Sequence, residues 1–273
     1  MEINESEVRR RLTMPKMLNY MAGEHAGRGD TYDVGSLQDG LALGAASWVR
    51  SGRPRYVLSS SIACLLAATR TPAVGHELRL PHDGILIEIP GDLTSIIGEG
   101  PLHVFVCRQE RPDGVCASVD SRVIVFCMRG GGDGTYRLTA FDAGNPADDR
   151  SDSDLPKECL RLAVNTVLYL TAHRQSVTKR VSYKKKDQGH QAFSVESPVG
   201  VSVTATFRNH VTDLIRSRTL GQAKSALMHF VRGHWKQQAY GSSRSERALI
   251  WIQPYARGVE ALGRVESRIV TVH

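Results

Sequence analysis

Residues 154 to 173 read Asp-Leu-Pro-Lys-Glu-Cys-Leu-Arg-Leu-Ala-Val-Asn-Thr-Val-Leu-Tyr-Leu-Thr-Ala-His. Leu155, Cys159, Leu162, Ala163, Thr166, Val167 and Leu170 recur at three- and four-residue steps, which gathers them on one face of a helix. Asp154 is placed to cap that helix. Pro156 falls in its first turn, where the missing N–H would have had no partner anyway. The segment therefore predicts a long helix whose apolar side packs across a sheet.

The sheet is expected immediately upstream. Ile85–Ile89, Leu102–Arg108, Arg122–Met128 and Tyr136–Phe141 are short apolar runs. They are separated by Pro-Gly, Pro-Asp-Gly and Arg-Gly-Gly-Gly-Asp-Gly punctuation, which predicts an antiparallel sheet. The Arg129-Gly-Gly-Gly-Asp-Gly run lacks the Gly-Lys-Ser/Thr ending of a phosphate loop and reads as a hairpin turn. Glu88, Asp120 and Asp142 show no metal-ligand spacing and read as surface carboxylates. Further upstream, a helix is expected over the first twenty residues, kinked or restarted at Pro15. A Gly-rich stretch, Gly23 to Gly35, follows. Further helices are expected from a Ser36 cap to Arg50, and over Ser59 to Arg70.

Downstream, the texture becomes basic. The chain has 273 residues and a formal net charge of +7. From Arg174 to the end, 17 Lys/Arg stand against 6 Asp/Glu, a balance of +11; the rest carries −4. Such asymmetry suits an anionic partner for the second part. Arg174–His190 reads as an exposed arm centred on Tyr183, more simply an ordinary solvated loop, with Lys184, Lys185 and Lys186 as candidate phosphate contacts. Val201–Phe207 and Val265–Val272 alternate as strands. The whole is α+β: N-terminal helices, an antiparallel sheet with a long packed helix, and a basic β-rich C-terminal module. A boundary near residue 175 would separate residues 1–174 from 175–273, unless the last strands complete the first sheet.

No run of eighteen apolar residues predicts a membrane span, and the acidic start argues against a signal peptide, so a cytoplasmic location is expected. Of the five cysteines, Cys64, Cys107, Cys127 and Cys159 have apolar neighbours and read as buried small hydrophobes; Cys116 is the fifth. No C-x-x-C spacing suggests a metal site, and no motif calls for a cofactor.

The densest chemistry lies between His229 and Gly258: two histidines, two tryptophans, two tyrosines and several cations. Gly233 among Phe230, Val231 and Trp235, with Leu249-Ile-Trp-Ile beyond Ser242-Ser-Arg-Ser-Glu, favours a twisted hairpin over a helix. Strand alternation would put Arg232 and His234 on one face and Gly233 and Trp235 on the other. Arg232, His234, Trp235, Lys236, Tyr240, Trp251 and Tyr255 are the candidates for nucleic-acid contact, through charge, hydrogen bonds and stacking. The competing reading makes Trp235 and Trp251 core residues. A metal-independent ribonuclease would need an acid, a base and a cation at the phosphate, for which His234, His229 and Tyr240 are the catalytic candidates and Lys236 and Arg232 the further parts.

Arg232-Gly-His-Trp, then Gly241, then Trp251 with Pro254 three positions on, resembles the C-terminal signature of a family found on phages and plasmids. That family includes a type V-A anti-CRISPR protein. The long helix before it and the intervening polar linker are similarly placed. The resemblance implies recognition of a nascent CRISPR nuclease during translation, followed by loss of its messenger RNA. It covers Arg232 to Pro254 and is weak elsewhere.

The expected partners are therefore a host protein or nascent polypeptide, with a CRISPR effector among the candidates, and RNA or the ribosome; no membrane is implied. The alternatives are a toxin-like endoribonuclease and a direct protein inhibitor without nucleic-acid contact.

Overall fold

In a computed structural model of the protein, the described residues are 14–28, 37–72, 78–91, 102–110, 121–130, 136–143, 154–180, 191–197, 208–209, 211–213 and 229–257. The expectations at Ser36, Cys116, Asp120, Lys184, Lys185, Lys186, Val201–Phe207 and Val265–Val272 lie outside them.

Helix α1 (Met14–Arg28) carries Pro15 in its first turn, where proline is tolerated, and runs past Gly23 into the Gly-rich stretch expected to follow it. It packs against α2 (Leu37–Arg50). Strand β1 (Pro54–Leu58) follows. Helix α3 (Ser60–Ala67) is capped by the Ser59 hydroxyl, which accepts the Ile62 N–H. Strands β2 (Gly84–Glu88), β3 (Leu102–Glu110), β4 (Ser121–Gly130) and β5 (Tyr136–Asp142) form the expected antiparallel meander. Helix α4 (Asp154–Ala172) is the long predicted helix. Two short strands, β6 (Val177–Arg180) and β7 (Gln191–Val195), come next.

Seven strands form one sheet in the order β5-β4-β3-β2-β1-β7-β6. The sheet is mixed, and this departs from the wholly antiparallel expectation: β1 runs parallel to both β2 and β7. Strand β1 was not anticipated. Pro54 stands at its first residue, the one position where a ladder tolerates a residue without an N–H. Because β6 and β7 extend this sheet, residues beyond 175 share it with residues before.

Each face of the sheet is covered, and side-chain alternation decides what covers it. Leu86, Phe105 and Phe126 point toward α1 and α2, where they meet Leu18, Leu41 and Trp48. Trp48 donates its indole N–H to the Pro54 carbonyl (2.9 Å) and lies edge-on to Phe105. Gly44 lets α2 lie close against β3, since a Cβ there would overlap the Cys107 sulfur.

On the other face, Ile85, Ile87, Val104, Val106 and Val125 meet α3 and α4, including Leu66, Leu162 and Val167. Cys64, Cys107, Cys127 and Cys159 are all buried, as their neighbours implied. Glu88 corrects its expected place on the surface: it is half-buried in an ion pair with Arg55, whose guanidinium donates to its carboxylate (2.8 Å).

Candidate nucleic-acid interface

The C-terminal hairpin consists of β8 (His229–Val231), β9 (His234–Tyr240), β10 (Glu246–Ile252) and β11 (Tyr255–Arg257). Strand β9 pairs antiparallel with β10, and β8 with β11. Ile252 faces His234 and Tyr255 faces Val231, so the register carries through without a slip. The two pairs are halves of one ribbon, interrupted where Arg232 and Gly233 meet Gln253 and Pro254. Proline has no N–H for the ladder. At the break, Gly233 turns to a different partner: its carbonyl accepts the Arg70 N–H (2.7 Å), and it bridges Thr69.

The interruption explains the glycine. A Cβ on Gly233 would lie 2.5 Å from the Thr69 hydroxyl and 2.8 Å from Pro254 Cδ. Only a residue without a side chain lets the ribbon close onto the end of α3.

Two tryptophans complete the attachment. Trp235 and Trp251 are cross-strand partners, stacked with ring centroids 6.1 Å apart, and only 9% and 8% exposed. Trp235 donates its N–H to the Asn165 side-chain oxygen (3.0 Å). Trp251 donates to the Thr69 hydroxyl (3.1 Å), which itself donates to the Leu65 carbonyl. Asn165 is fully buried on α4, and its amide also reaches the Leu66 and Thr69 carbonyls (3.0 Å each). Both indole N–H groups, the Asn165 amide and the Thr69 hydroxyl therefore have partners, as burial demands. Trp251 also meets Tyr169 edge-on (5.3 Å) and His173 (6.0 Å).

Alternation sorts the sequence candidates as expected: Gly233 and Trp235 inward, His234 outward, Arg232 half-buried. The tryptophans' ring faces are thus packed into the main core, where no base could stack on them; their sequence reading as core residues describes their position. The outward row of β9 is His234, Lys236, Gln238 and Tyr240, all exposed. Across from it stand Ile252, Ile250, Ala248 and Glu246. Tyr240 donates to Glu246, which holds its phenol above the ordinary value. Tyr255 is half-buried beside the break.

The catalytic candidates are not brought to one centre. His234 and Tyr240 share a face but sit at opposite ends of β9, roughly 20 Å apart at strand rise. No concerted proton transfer spans that distance. His229 is in β8, with its side chain outside the described residues, as are those of Lys184, Lys185 and Lys186.

The sequence reading missed the neighbours that α3 and α4 bring to Arg232. Burial lowers its guanidinium from the ordinary value, and the like charges of Arg70 and Arg161 push the same way, with Glu158 opposing. Arg161 is ion-paired with Glu158, one turn apart on α4. No local spacing could have announced a group assembled from positions 70, 158, 161 and 232.

The fold and this interface define an α+β protein in which a C-terminal ribbon is clasped to the helix behind the sheet. A family model, AcrVA2-like, the anti-CRISPR type V subtype A2 family, matches residues 58–258, which include β1's last residue, α4 and the whole ribbon break. The chain belongs to that anti-CRISPR family. No curated protein and no solved structure matches it. Among the described residues, no helix is long and apolar enough to cross a membrane.

Proposed function

We propose that the protein acts by recognition: it binds a host target protein or nascent polypeptide and contacts RNA, lowering expression of the target. Membership of an anti-CRISPR family supports a protein partner of the CRISPR-effector kind. The RNA part rests on charge and exposure. The second part of the chain carries the positive excess, and the ribbon turns His234 and Lys236 outward while its apolar side anchors it.

The observation that carries the reading is this two-sidedness. A pair of buried tryptophans fixes the ribbon to α4 and to the chain leaving α3, so its exposed row projects from a rigid base. Groups held that way can meet an external anion at little further entropic cost. The ribbon supplies position and charge, and RNA incubated with the protein in EDTA is expected to keep its length.

The test is crosslinking in cells, followed by identification of both polypeptide and RNA partners at two salt concentrations. The expected result is one dominant polypeptide partner, with RNA retained at low salt and released at high salt. Recovery of the polypeptide without RNA at low salt would remove the RNA contact. Recovery of neither would remove the whole reading.

A further inference from the structure

Arg70 leaves the end of α3, Arg161 projects from α4, and Arg232 sits at the break in the ribbon. Two fixed contacts bring them together. The Arg70 N–H is bonded to the Gly233 carbonyl, the residue next to Arg232. Asn165, one turn beyond Arg161 on α4, is bonded to Trp235 and to the Thr69 carbonyl. These contacts set the three residues beside one another where α3, α4 and the ribbon meet, and the charges of Arg70 and Arg161 both act on Arg232. Arg70 is exposed, Arg232 half-buried, and the Arg161 side chain 29% exposed, so solvent reaches the group.

Like charges do not cluster without a cost, and one carboxylate does not balance three guanidiniums. Glu158, 4% exposed, pairs with Arg161 and attracts Arg232. Among the described residues, two positive charges remain uncompensated at one place. A guanidinium fork suits a phosphodiester, whose two non-bridging oxygens can take its two prongs together while their remaining lone pairs accept from a second guanidinium.

The geometry points to a phosphate-binding site made by Arg70, Arg161 and Arg232, which takes a backbone phosphate of single-stranded RNA at the foot of the ribbon. Glu158 orients Arg161 and weakens the site's charge. The assignment rests on the RNA contact proposed above and names the group contacted. With His234 and Lys236 two and four residues from Arg232, the strand would run from this foot along the outward row.

The experiment measures binding of a fluorescent single-stranded RNA to the full chain across a salt series. Arg70→Gln and Arg232→Gln should each weaken binding about tenfold at low salt and flatten the salt slope by about 0.7. Glu158→Gln should tighten binding severalfold, a gain that a misfolded variant would not give. Arg50→Gln, on α2 behind the sheet, should change nothing. Polyglutamate of equal charge should not displace the RNA.

Unchanged affinity and slope in both arginine variants, with wild-type binding intact, would overturn the site and leave the RNA contact standing. Absence of wild-type binding at low salt would overturn both. Displacement by polyglutamate, or no gain from Glu158→Gln, would overturn the assignment to phosphate.

Discussion

Gly233 is the residue at which the ribbon's attachment can be broken with one methyl group. An added Cβ would overlap the Thr69 hydroxyl and the Pro254 ring, and Pro254 cannot move without shifting the chain behind it. Gly233→Ala should lower stability by about 1–3 kcal/mol, as overpacking does elsewhere. Denaturant unfolding monitored by tryptophan fluorescence would measure it, and an unchanged midpoint would refute the close approach. His173 offers a second test at this scale. Its Nε2 is buried without a hydrogen-bond partner, and its ring stacks on Tyr169 (4.8 Å). Burial lowers its pKa below 6.5, so the unfolded chain takes up a proton more readily than the folded one. Stability from this group is fully present above about pH 6.5 and is lost as pH falls toward the lowered folded value. His82 and His103 are shifted in the same direction, also by burial. The unfolding midpoint should fall between pH 7.5 and pH 5, and His173→Gln should flatten that decline.

Elements differ in how much of themselves they write into the sequence. Helix α4 was legible because its apolar residues recur at helical spacing, and β3 and β4 because each is a long apolar run between turn residues. The hairpin was legible from Gly233 and the polar connection at Ser242–Glu246, and its inward and outward residues from simple alternation. Strand β1 was not, because a five-residue Pro-Arg-Tyr-Val-Leu stretch carries no turn signal for a parallel partner. Its neighbours β2 and β7 lie roughly 30 and 135 residues away in sequence, and long-range pairing leaves no local trace. The arginine group was invisible for the same reason. The hairpin's turn carries its own prediction. Ser243 and Arg244 both hold left-handed backbone (φ 56° and 55°), which costs a side-chain-bearing residue energy that glycine does not lose. Ser243→Gly should be neutral or stabilising by up to about 1 kcal/mol, read as a rise in thermal midpoint. A clear loss would mean that the serine side chain supports the turn.

At the scale of the molecule, the ribbon is continuous with the main core: Trp235 and Trp251 join the cluster that holds Leu66, Val125 and Val167. A chain ending before residue 229 would lose both indoles from the core and uncover the apolar face of α4 around Tyr169. The apolar burial lost with each indole costs on the order of 1–3 kcal/mol. Against total stabilities of about 5–15 kcal/mol, that is a large fraction. The truncated chain should unfold at a clearly lower midpoint, or without a cooperative transition, in calorimetry. An unchanged midpoint would mean that the ribbon is an independent appendage.

The pairing of Trp235 with Trp251 has a consequence for how such a protein can diversify. A slip of one residue would swing both indoles into water, so the ribbon is locked in phase with its own interior. Positions 234, 236, 238 and 240 alternate with that lock and bear none of the packing. They form a writable margin: substitutions there would retune the proposed RNA contact while the hidden half keeps the scaffold in step.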